Sequence, residues 1–337
     1  MKTPRNLVIK TLEFDAPWRV PRQLWILPWA QDHYPDELRQ IQIDYPDDMI
    51  GSPGFLKEPL ITSGGQYDVG TYIDEWGCQF VNIQQGVIGE VKSPIVKSWD
   101  DLEKLKPPLA SMSVDIQQVN AFCKSTDKFV TGGCCPRPFE RMQFIRRSDQ
   151  LYLDIAEESP KFFKLLNTVH QFYLDELEIW AATDVDGLSF MDDWGSQRNL
   201  LISPKQWRKI FKPLYKEYID VAHAHGKKAF MHSDGFTASI IPDLIEIGLD
   251  ALNTQIFTMN IEELGYLFAG KITFWGELDR QGLLPNGSIN DIDTAVRRVY
   301  KAFWKDGGAI AQCEFGAGAK PENVRQMFKT WESLGNN

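Results

Sequence analysis

Six short apolar runs of strand length alternate with helix-length segments from about residue 129 to the end of the chain. In order, these runs are KFVTGG (128–133), DGLSFMDDW (186–194), KKAFMHSDG (227–235), DALNTQ (250–255), KITFWGELD (271–279) and GGAIAQCEF (307–315). Repeated strand then helix implies parallel strands that are joined by crossovers. The alternation therefore predicts an α/β fold built on a parallel sheet.

Two of the intervening segments carry recognisable helix start and stop signals. In the segment 203–226, Ser203 can act as N-cap, Pro204 fits the first turn and Gly226 ends the segment. The segment 288–307 opens at Ser288 or Asn290 and closes at Gly307. Both segments are predicted to be helical along their whole length.

Polar residues capable of chemistry stand at the ends of most of these runs. They are Asp192 and Asp193, His232 and Asp234, Asn253 and Gln255, Glu277 and Asp279, and Cys313 and Glu314. In a parallel barrel the carboxyl ends of all strands open onto one face, so these groups would converge there. An open doubly wound sheet would collect them only near a switch point, and no G-x-G-x-x-G motif follows the first strand.

Composition excludes several classes of function. The chain of 337 residues has a formal net charge of −10, with acids and bases mixed along its length, which argues against a nucleic-acid partner or an anionic membrane. The first 30 residues lack the apolar core of a signal peptide, and no apolar run reaches the roughly 20 residues that span a bilayer. We therefore expect a cytoplasmic protein. Its five cysteines are an odd number and do not suggest a disulfide framework.

Several longer stretches, in order, resemble the uroporphyrinogen decarboxylase-like superfamily. They include YIDEWGCQFVNIQQGVIGEVKSPIVKSWDDLEKLKPP (72–108), GCCPRPFERMQFIRR (133–147), HSDGFTASIIPDLIEIGLDALNTQ (232–255) and KITFWGELDRQGLLP (271–285). The resemblance extends from about residue 60 to the end. It implies a (β/α)8 TIM barrel with an elaborated N-terminal region, as one domain over residues 1–337. Residues 1–125 would hold the elaboration and the first strands, and residues 126–337 the regular β/α repeat.

The superfamily has a decarboxylase branch and a methyltransferase branch, and the sequence favours the second. Uroporphyrinogen decarboxylases carry an N-terminal RQAGR motif that grips the substrate's carboxylates, whereas this chain has VPRQLWILPWAQDHYP near that place. A substrate with many carboxylates requires several fixed guanidinium groups. Decarboxylation of that substrate is therefore the less favoured expectation.

The corrinoid-linked methyltransferases of this superfamily bind zinc through an H-x-C motif and a later cysteine. By this resemblance His232, Asp234 and Cys313 are the metal ligands, with Asp234 in the place of the first cysteine. A His, Asp and Cys set can hold Zn²⁺ and leave a fourth position open. A carboxylate in place of a thiolate makes the metal a harder Lewis acid, which favours an oxygen-bearing substrate such as a methyl ether.

Other strand-end residues complete the predicted site. Glu277 and Glu314 are alternative metal ligands, and Glu277 is also a candidate proton donor to a leaving oxygen. Asp192 and Asp193 are the remaining catalytic candidates. An apolar pocket for an aromatic ring is expected from Trp29, Trp76, Trp194, Asn253 and Gln255.

The resemblance thus implies a zinc-dependent methyltransferase that moves a methyl group from an O-methyl substrate, for example a methoxyaromatic compound, to a corrinoid protein. That partner would dock over the open end of the barrel, and a homodimer is left open. One alternative is a metal-free decarboxylase that uses Asp192, Asp193, Arg137 and Arg141. A second is a non-catalytic barrel that binds a small ligand or a corrinoid carrier.

Each candidate residue also has a purely structural interpretation. His232 taken alone would be a buried histidine bonded to a backbone carbonyl, and Asp234 before Gly235 is a common turn pair. Cys313 would be a core residue with Glu314 as the functional acid, since alternate residues of a strand face opposite sides. Asp192 and Asp193 would cap the next helix. The resemblance favours the metal-binding interpretation for His232 and, by a small margin, Cys313 over Glu314.

Overall fold

The computed structural model describes residues 2–335, whose main feature is an eight-stranded parallel sheet rolled into a nearly closed barrel. The neighbouring strands follow the order β1-β11-β10-β9-β8-β7-β6-β2. The strand bounds are β1 (Arg22–Ile26), β2 (Met49–Gly51), β3 (Gly70–Ile73), β4 (Gln79–Asn82), β5 (Glu90–Ser93), β6 (Phe129–Thr131), β7 (Gly187–Met191), β8 (Lys228–Ser233), β9 (Ala251–Thr254), β10 (Thr273–Trp275) and β11 (Ala309–Phe315). The predicted (β/α)8 barrel is therefore confirmed.

The seam between β1 and β2 is closed by two aspartates that precede β2. The Asp48 amide donates to the Arg22 carbonyl at 2.9 Å, and the Arg22 amide donates back to Asp48 Oδ2 at 2.9 Å. The Leu24 amide donates to Asp47 Oδ1 at 2.8 Å. These carboxylates accept hydrogen bonds from β1 amides that would otherwise bond to a longer second strand. The barrel can therefore close although β2 has only three residues.

Helices surround the barrel between its strands. Their bounds are α1 (Pro4–Leu12), α2 (Pro28–His33), α3 (Pro35–Asp44), α4 (Ile116–Ser125), α5 (Pro138–Arg146), α6 (Ser148–Glu157), α7 (Pro160–Ala181), α8 (Pro204–Ile210), α9 (Lys212–Ala224), α10 (Ile241–Glu246), α11 (Ile261–Phe268), α12 (Leu283–Asn286), α13 (Ile289–Phe303) and α14 (Pro321–Leu334). Short 3₁₀ helices lie at Trp99–Lys104, Leu109–Met112 and Ile256–Thr258. Within residues 2–335, no helix combines the length and apolar character needed to cross a membrane.

Local sequence signals explain most of the helix boundaries. Ser203 caps α8 as predicted, but the segment to Gly226 forms two helices, because Pro213 has no amide to bond within one continuous helix. Ser288, and not Asn290, caps α13: its hydroxyl accepts from the Asp291 amide, while the Asp291 carboxylate accepts from the Ser288 amide.

One end of the barrel is covered by α1. Val8 and Leu12 of this helix pack with barrel residues including Phe129, Phe230 and Ile310. Because β6 and β11 begin beside α1, the covered end is the one at which the strands start. The opposite end, where the strands finish, is the barrel mouth.

The N-terminal elaboration includes a small antiparallel sheet in the order β3-β4-β5. Its connection to the barrel is made by Arg141 of α5, which is buried. The guanidinium pairs with Asp74 and with Glu75 Oε1 at 3.1 Å, and it lies over the Trp76 ring at 5.2 Å from the ring centroid. The loop between β3 and β4 is thereby fixed to the helix layer beside the mouth.

Candidate active site

The barrel mouth brings together the polar residues that follow four consecutive strands of the sheet. Asp193 follows β7, His232 and Asp234 lie at the end of β8, Asn253 lies in β9, and Glu277 follows β10. Because the carboxyl ends of parallel strands meet at one end of the barrel, residues distant in sequence become neighbours. The predicted convergence of these side chains is what the structure shows.

Three of these residues form a group able to hold a metal ion, which we call the candidate metal triad: Asp193, His232 and Asp234. One ligand atom from each lies within 4.8 Å of the others. His232 Nε2 lies 3.6 Å from Asp193 Oδ1 and 3.6 Å from Asp234 Oδ1. Among the described residues Asp234 Oδ1 is buried and has no hydrogen-bond partner. A buried carboxylate oxygen without a partner is costly unless a cation or a ligand satisfies it.

Asn253 determines which nitrogen of His232 faces the triad. The Asn253 amide nitrogen donates to the Trp275 carbonyl and to Gln312 Oε1 at 3.2 Å, so its oxygen faces His232. That oxygen lies 2.6 Å from His232 Nδ1, which must therefore be the donor. A neutral imidazole then presents an unprotonated Nε2 to the two aspartates, as a metal ligand requires.

Arg280, in the loop after β10, contacts three carboxyl groups of the mouth. Its guanidinium pairs with Asp234, with Glu277 Oε1 at 3.3 Å and with Glu314 Oε2 at 3.2 Å. Asp234 thus uses Oδ2 for Arg280 and leaves Oδ1 directed to His232. The arginine orients the acids of the site as well as balancing part of their charge.

Glu277 is the buried acid of the mouth, with 2% of its surface exposed. Burial raises its pKa to about 8, Arg280 opposes this rise, and the nearby Asp234 and Glu314 carboxylates add to it. Glu277 is consequently protonated at neutral pH and able to donate a proton. Glu314 also has a raised pKa, chiefly from burial.

Cys313 and Glu314 face opposite sides of β11. Ile310 packs inside the barrel and Gln312 bonds to Asn253 there, so Glu314 follows on the same face by the two-residue period of a strand. Cys313 is fully buried with the residues packed against the helix layer, and burial raises the pKa of its thiol well above the usual range. The structure therefore groups Asp193, and not Cys313, with His232 and Asp234.

Asp192 serves the structure of the mouth. Its carboxylate is fully buried and accepts from the Phe139 amide at 3.0 Å, the Glu140 amide at 2.7 Å and the Tyr215 hydroxyl at 2.6 Å. Asp192, which directly follows β7, thus caps the first turn of α5, a helix that precedes β7 in the chain, and not the next helix as the capping interpretation expected.

The predicted pocket residues occupy different environments. Trp194 is fully buried and stacks on Phe139 with ring centroids 4.2 Å apart, and Trp76 is buried against α7. Trp29 is half-buried on α2. Gln255 is the pocket candidate that lines a cavity at the mouth, and Trp25 of β1 contacts the His232 ring at 5.2 Å between centroids.

This cavity has a volume of about 330 Å³. It adjoins the triad through Arg280, which pairs with Asp234, and through Gln255, whose Oε1 accepts from the Gly235 amide at 3.1 Å. Its lining consists of Gln197, Gln255, Phe257, Thr258, Glu277, Asp279, Arg280, Gln281 and Gly282. Arg280, Gln197 and Gln281 escaped the sequence analysis, although the position of Arg280 just beyond a strand end was a usable signal.

Solved structures that are similar to this chain include the following two. A methyltransferase from Methanosarcina mazei superposes with a TM-score of 0.68 at 13% sequence identity, covering 99% of both chains. A B12-independent methionine synthase from Shewanella sp. W3-18-1 superposes with a TM-score of 0.45 at 11% identity, covering 94% of this chain and 95% of that chain. No curated protein sequence matched the chain.

Comparison with family models identifies the chain's relatives by sequence. The model of the uroporphyrinogen decarboxylase (URO-D) family matches residues 66–334, which is most of the chain. The match includes the strand ends that carry the triad, Glu277 and Arg280, and it agrees with the resemblance seen in the motifs. The chain belongs to the uroporphyrinogen decarboxylase (URO-D) family.

Proposed function

We propose that the protein is a metal-dependent methyltransferase that transfers a methyl group from an O-methyl substrate to a corrinoid protein. The observation that carries this proposal is the candidate metal triad, in which a buried Asp234 oxygen without a hydrogen-bond partner faces Nε2 of His232, while His232 Nδ1 is bonded to Asn253. The similarity of fold to the Methanosarcina mazei methyltransferase supports the choice of reaction.

The donor set of the triad fits Zn²⁺. Zinc accepts imidazole nitrogen and carboxylate oxygen, and a catalytic zinc has three protein ligands and one open position. Asp193 takes the place that the resemblance assigned to Cys313, so the proposed ligands are one nitrogen and two oxygens. The tautomer imposed by Asn253 supplies the hydrogen-bonded second nitrogen that metal-bound histidines almost always have.

Zinc bound there would act as a Lewis acid toward the oxygen of the substrate. The side chains around the triad would orient that oxygen and supply its proton. Glu277 borders the cavity with its buried carboxyl group, and burial raises the pKa of that group above its ordinary value. In the proposed reaction the bond between the methyl carbon and the substrate oxygen breaks, the carbon passes to the reduced corrinoid, and Glu277 protonates the oxygen.

The arrangement of arginines disfavours the decarboxylase alternative. Arg141 is buried and already paired with Asp74 and Glu75, and Arg137 pairs with Glu140 Oε2 at 3.0 Å. Arg280 pairs with three carboxyl groups. A substrate with many carboxylates would have to displace these internal partners, at a cost in buried unpaired charge.

The test is methyl transfer from a panel of methoxyaromatic compounds and aliphatic methyl ethers to cob(I)alamin, followed by the visible spectrum of the corrinoid. Zinc-loaded protein should transfer the methyl group from at least one donor. A His232→Ala variant should lose transfer, because the nitrogen ligand is gone, while His225→Ala at the exposed end of α9 should retain it. Absence of transfer from every donor by the zinc-loaded protein would overturn the proposal.

A further inference from the structure

The cavity at the mouth has little positive charge to offer a ligand. Of the described residues that line it, Arg280 is the one cation. Its charge is already opposed by Asp234 and by Glu314, whose Oε2 lies 3.2 Å away. Even with a divalent ion held by Asp193 and Asp234, Glu314 still offsets Arg280. A carboxylate directed into this cavity would therefore find no free cationic side chain there.

Asp279 adds negative charge at the rim of the same cavity. Its Oδ1 accepts from the Gln281 and Gly282 amides, both at 2.9 Å, and its Oδ2 accepts from the Leu283 amide at 3.3 Å. These three bonds hold the Asp279 carboxyl group at the rim of the cavity. An anionic ligand in the cavity would thus face a fixed like charge as well.

Neutral amides supply the remaining polar lining. Gln197 Nε2 donates to Gln281 Oε1 at 3.0 Å, which links the loop after β7 to the loop after β10. The Gln197 oxygen and the Gln281 nitrogen take no part in this bond, so the pair keeps an acceptor and donors. Gln255 lies beside them, and Phe257 provides an apolar wall. Amide groups of this kind match hydroxyl groups, which both donate and accept.

From this lining we infer that the substrate is an uncharged, hydroxyl-bearing methyl ether and that the site discriminates against its carboxylate analogues. The inference rests on the proposed function, because it concerns the molecule that donates the methyl group. Gln197 and Gln281 are assigned as the residues that recognise its hydroxyl groups, and Glu314 as the residue that keeps Arg280 from binding a carboxylate.

Calorimetric titration with two matched pairs of ligands tests the inference. The first pair is methyl α-D-glucopyranoside and methyl α-D-glucopyranosiduronic acid, and the second is 2-methoxyphenol and 4-hydroxy-3-methoxybenzoate. In each pair that binds, the uncharged member should bind at least about tenfold more tightly than the carboxylate. The reason is that placing two like charges side by side costs more free energy than a tenfold change in affinity. Equal or tighter binding of the carboxylates, or no binding of either uncharged ligand, would overturn the inference.

Variants identify the residues responsible. Glu314→Gln should reduce the preference for the uncharged ligand by about fivefold, because Arg280 then has one fewer acidic partner. Glu262→Gln, which removes an exposed acid paired with Arg298 on the helix layer, should leave the preference unchanged. An unchanged preference in Glu314→Gln would contradict the role assigned to Glu314.

The amide pair has its own control. The test uses an uncharged ligand that binds the wild type. Gln281→Leu should weaken the binding of this ligand by about fivefold, which corresponds to one lost hydrogen bond. The binding of the matching carboxylate ligand should change little. Gln171→Leu on the exposed face of α7 should change neither affinity. Equal loss for both members of the pair would show that Gln281 acts through the fold and would overturn its assignment.

Because these titrations contain no methyl acceptor, they separate the two proposals. Selective binding of uncharged ligands without any methyl transfer in the cob(I)alamin assay would sink the proposed function and leave the ligand preference standing. Tight binding and demethylation of the carboxylate ligands would support the proposed function and overturn the ligand preference.

Discussion

At the scale of single residues, the orientation of the His232 ring depends on the side-chain amide of Asn253, which is not itself a member of the triad. Asn253 is fully buried, and its three hydrogen bonds leave one orientation of the side chain. Asn253→Ala should weaken zinc binding by about 10- to 100-fold, as loss of such supporting partners commonly does. Competition titration with a chromophoric chelator measures this effect.

Two further variants separate orientation from general damage at this position. Asn253→Asp keeps an acceptor for His232 Nδ1 but loses the donor to Trp275 and Gln312, so its affinity for zinc should lie between those of Asn253→Ala and the wild type. Asn290→Ala, at an exposed position of α13, should bind zinc like the wild type. If Asn253→Ala bound zinc normally while remaining folded by circular dichroism, Asn253 would have no positioning role.

The buried acid Glu277 makes a prediction about pH. Its pKa is about 8 in the folded protein against an ordinary value of 4.5, so the folded state holds a proton that the unfolded state has lost between these values. The free energy of unfolding should therefore fall as pH rises from about 4.5 to about 8 and then level off. Glu277→Gln should remove this part of the dependence.

Urea denaturation of the metal-free protein across this pH range provides the measurement. The stability of Glu277→Gln relative to the wild type should increase with pH and reach its plateau above about pH 8. A difference between the two proteins that stays constant with pH would contradict the raised pKa.

The sequence predicted part of this site for physical reasons that are visible in the structure. His232, Asp234 and Asp193 could be found because they follow apolar runs, and strand ends in a parallel barrel converge. The sequence could not show which face of β11 points into the barrel. The alternation of side chains along a strand places Cys313 and Glu314 on opposite faces, but it does not show which of the two points inward. The role of Asn253 depends on bonds to Trp275 and Gln312, which are distant in sequence.

At the scale of secondary structure, α5 joins the barrel to the N-terminal elaboration. Its first turn is capped by Asp192, and its Arg141 is buried against the loop between β3 and β4. Arg141→Met should destabilise the protein by about 3–5 kcal/mol, because it leaves Asp74 buried without its charged partner. Arg297→Met removes an exposed pair with Asp293 and should cost less than about 1 kcal/mol.

Chemical denaturation of the two variants at neutral pH tests this difference. Similar midpoints for Arg141→Met and the wild type would show that the buried ion pairs do not hold the elaboration to the barrel.

The elements themselves were predictable where the apolar runs are long. All six predicted runs from residue 128 onward contain the strands β6 to β11. The strands β1 and β2 had no comparable signal, because β1 lies among prolines and arginines and β2 has three residues, with its seam closed by Asp47 and Asp48. The break between α8 and α9 was not predicted, because the start signal at Ser203 and the stop signal at Gly226 indicated one helix despite Pro213 between them.

At the scale of the whole molecule, the barrel assembles a site from loops that are far apart in sequence. The covered end with α1 supports the fold, while the mouth gathers the triad, the acids around Arg280 and the cavity. The family match agrees with the barrel, whereas the proposed ligand set of one nitrogen and two oxygens is inferred from the positions of Asp193, His232 and Asp234. The ligand set is therefore the central claim.

Zinc K-edge X-ray absorption of the protein loaded with one equivalent of Zn²⁺ tests that claim most directly. The account predicts one zinc per chain with nitrogen and oxygen neighbours alone, at about 2.0–2.2 Å, and loss of this signal in His232→Ala. A sulfur neighbour at about 2.3 Å would show that Cys313 or another thiol is a ligand, and failure to bind zinc would remove the triad as a metal site; either result would contradict the account.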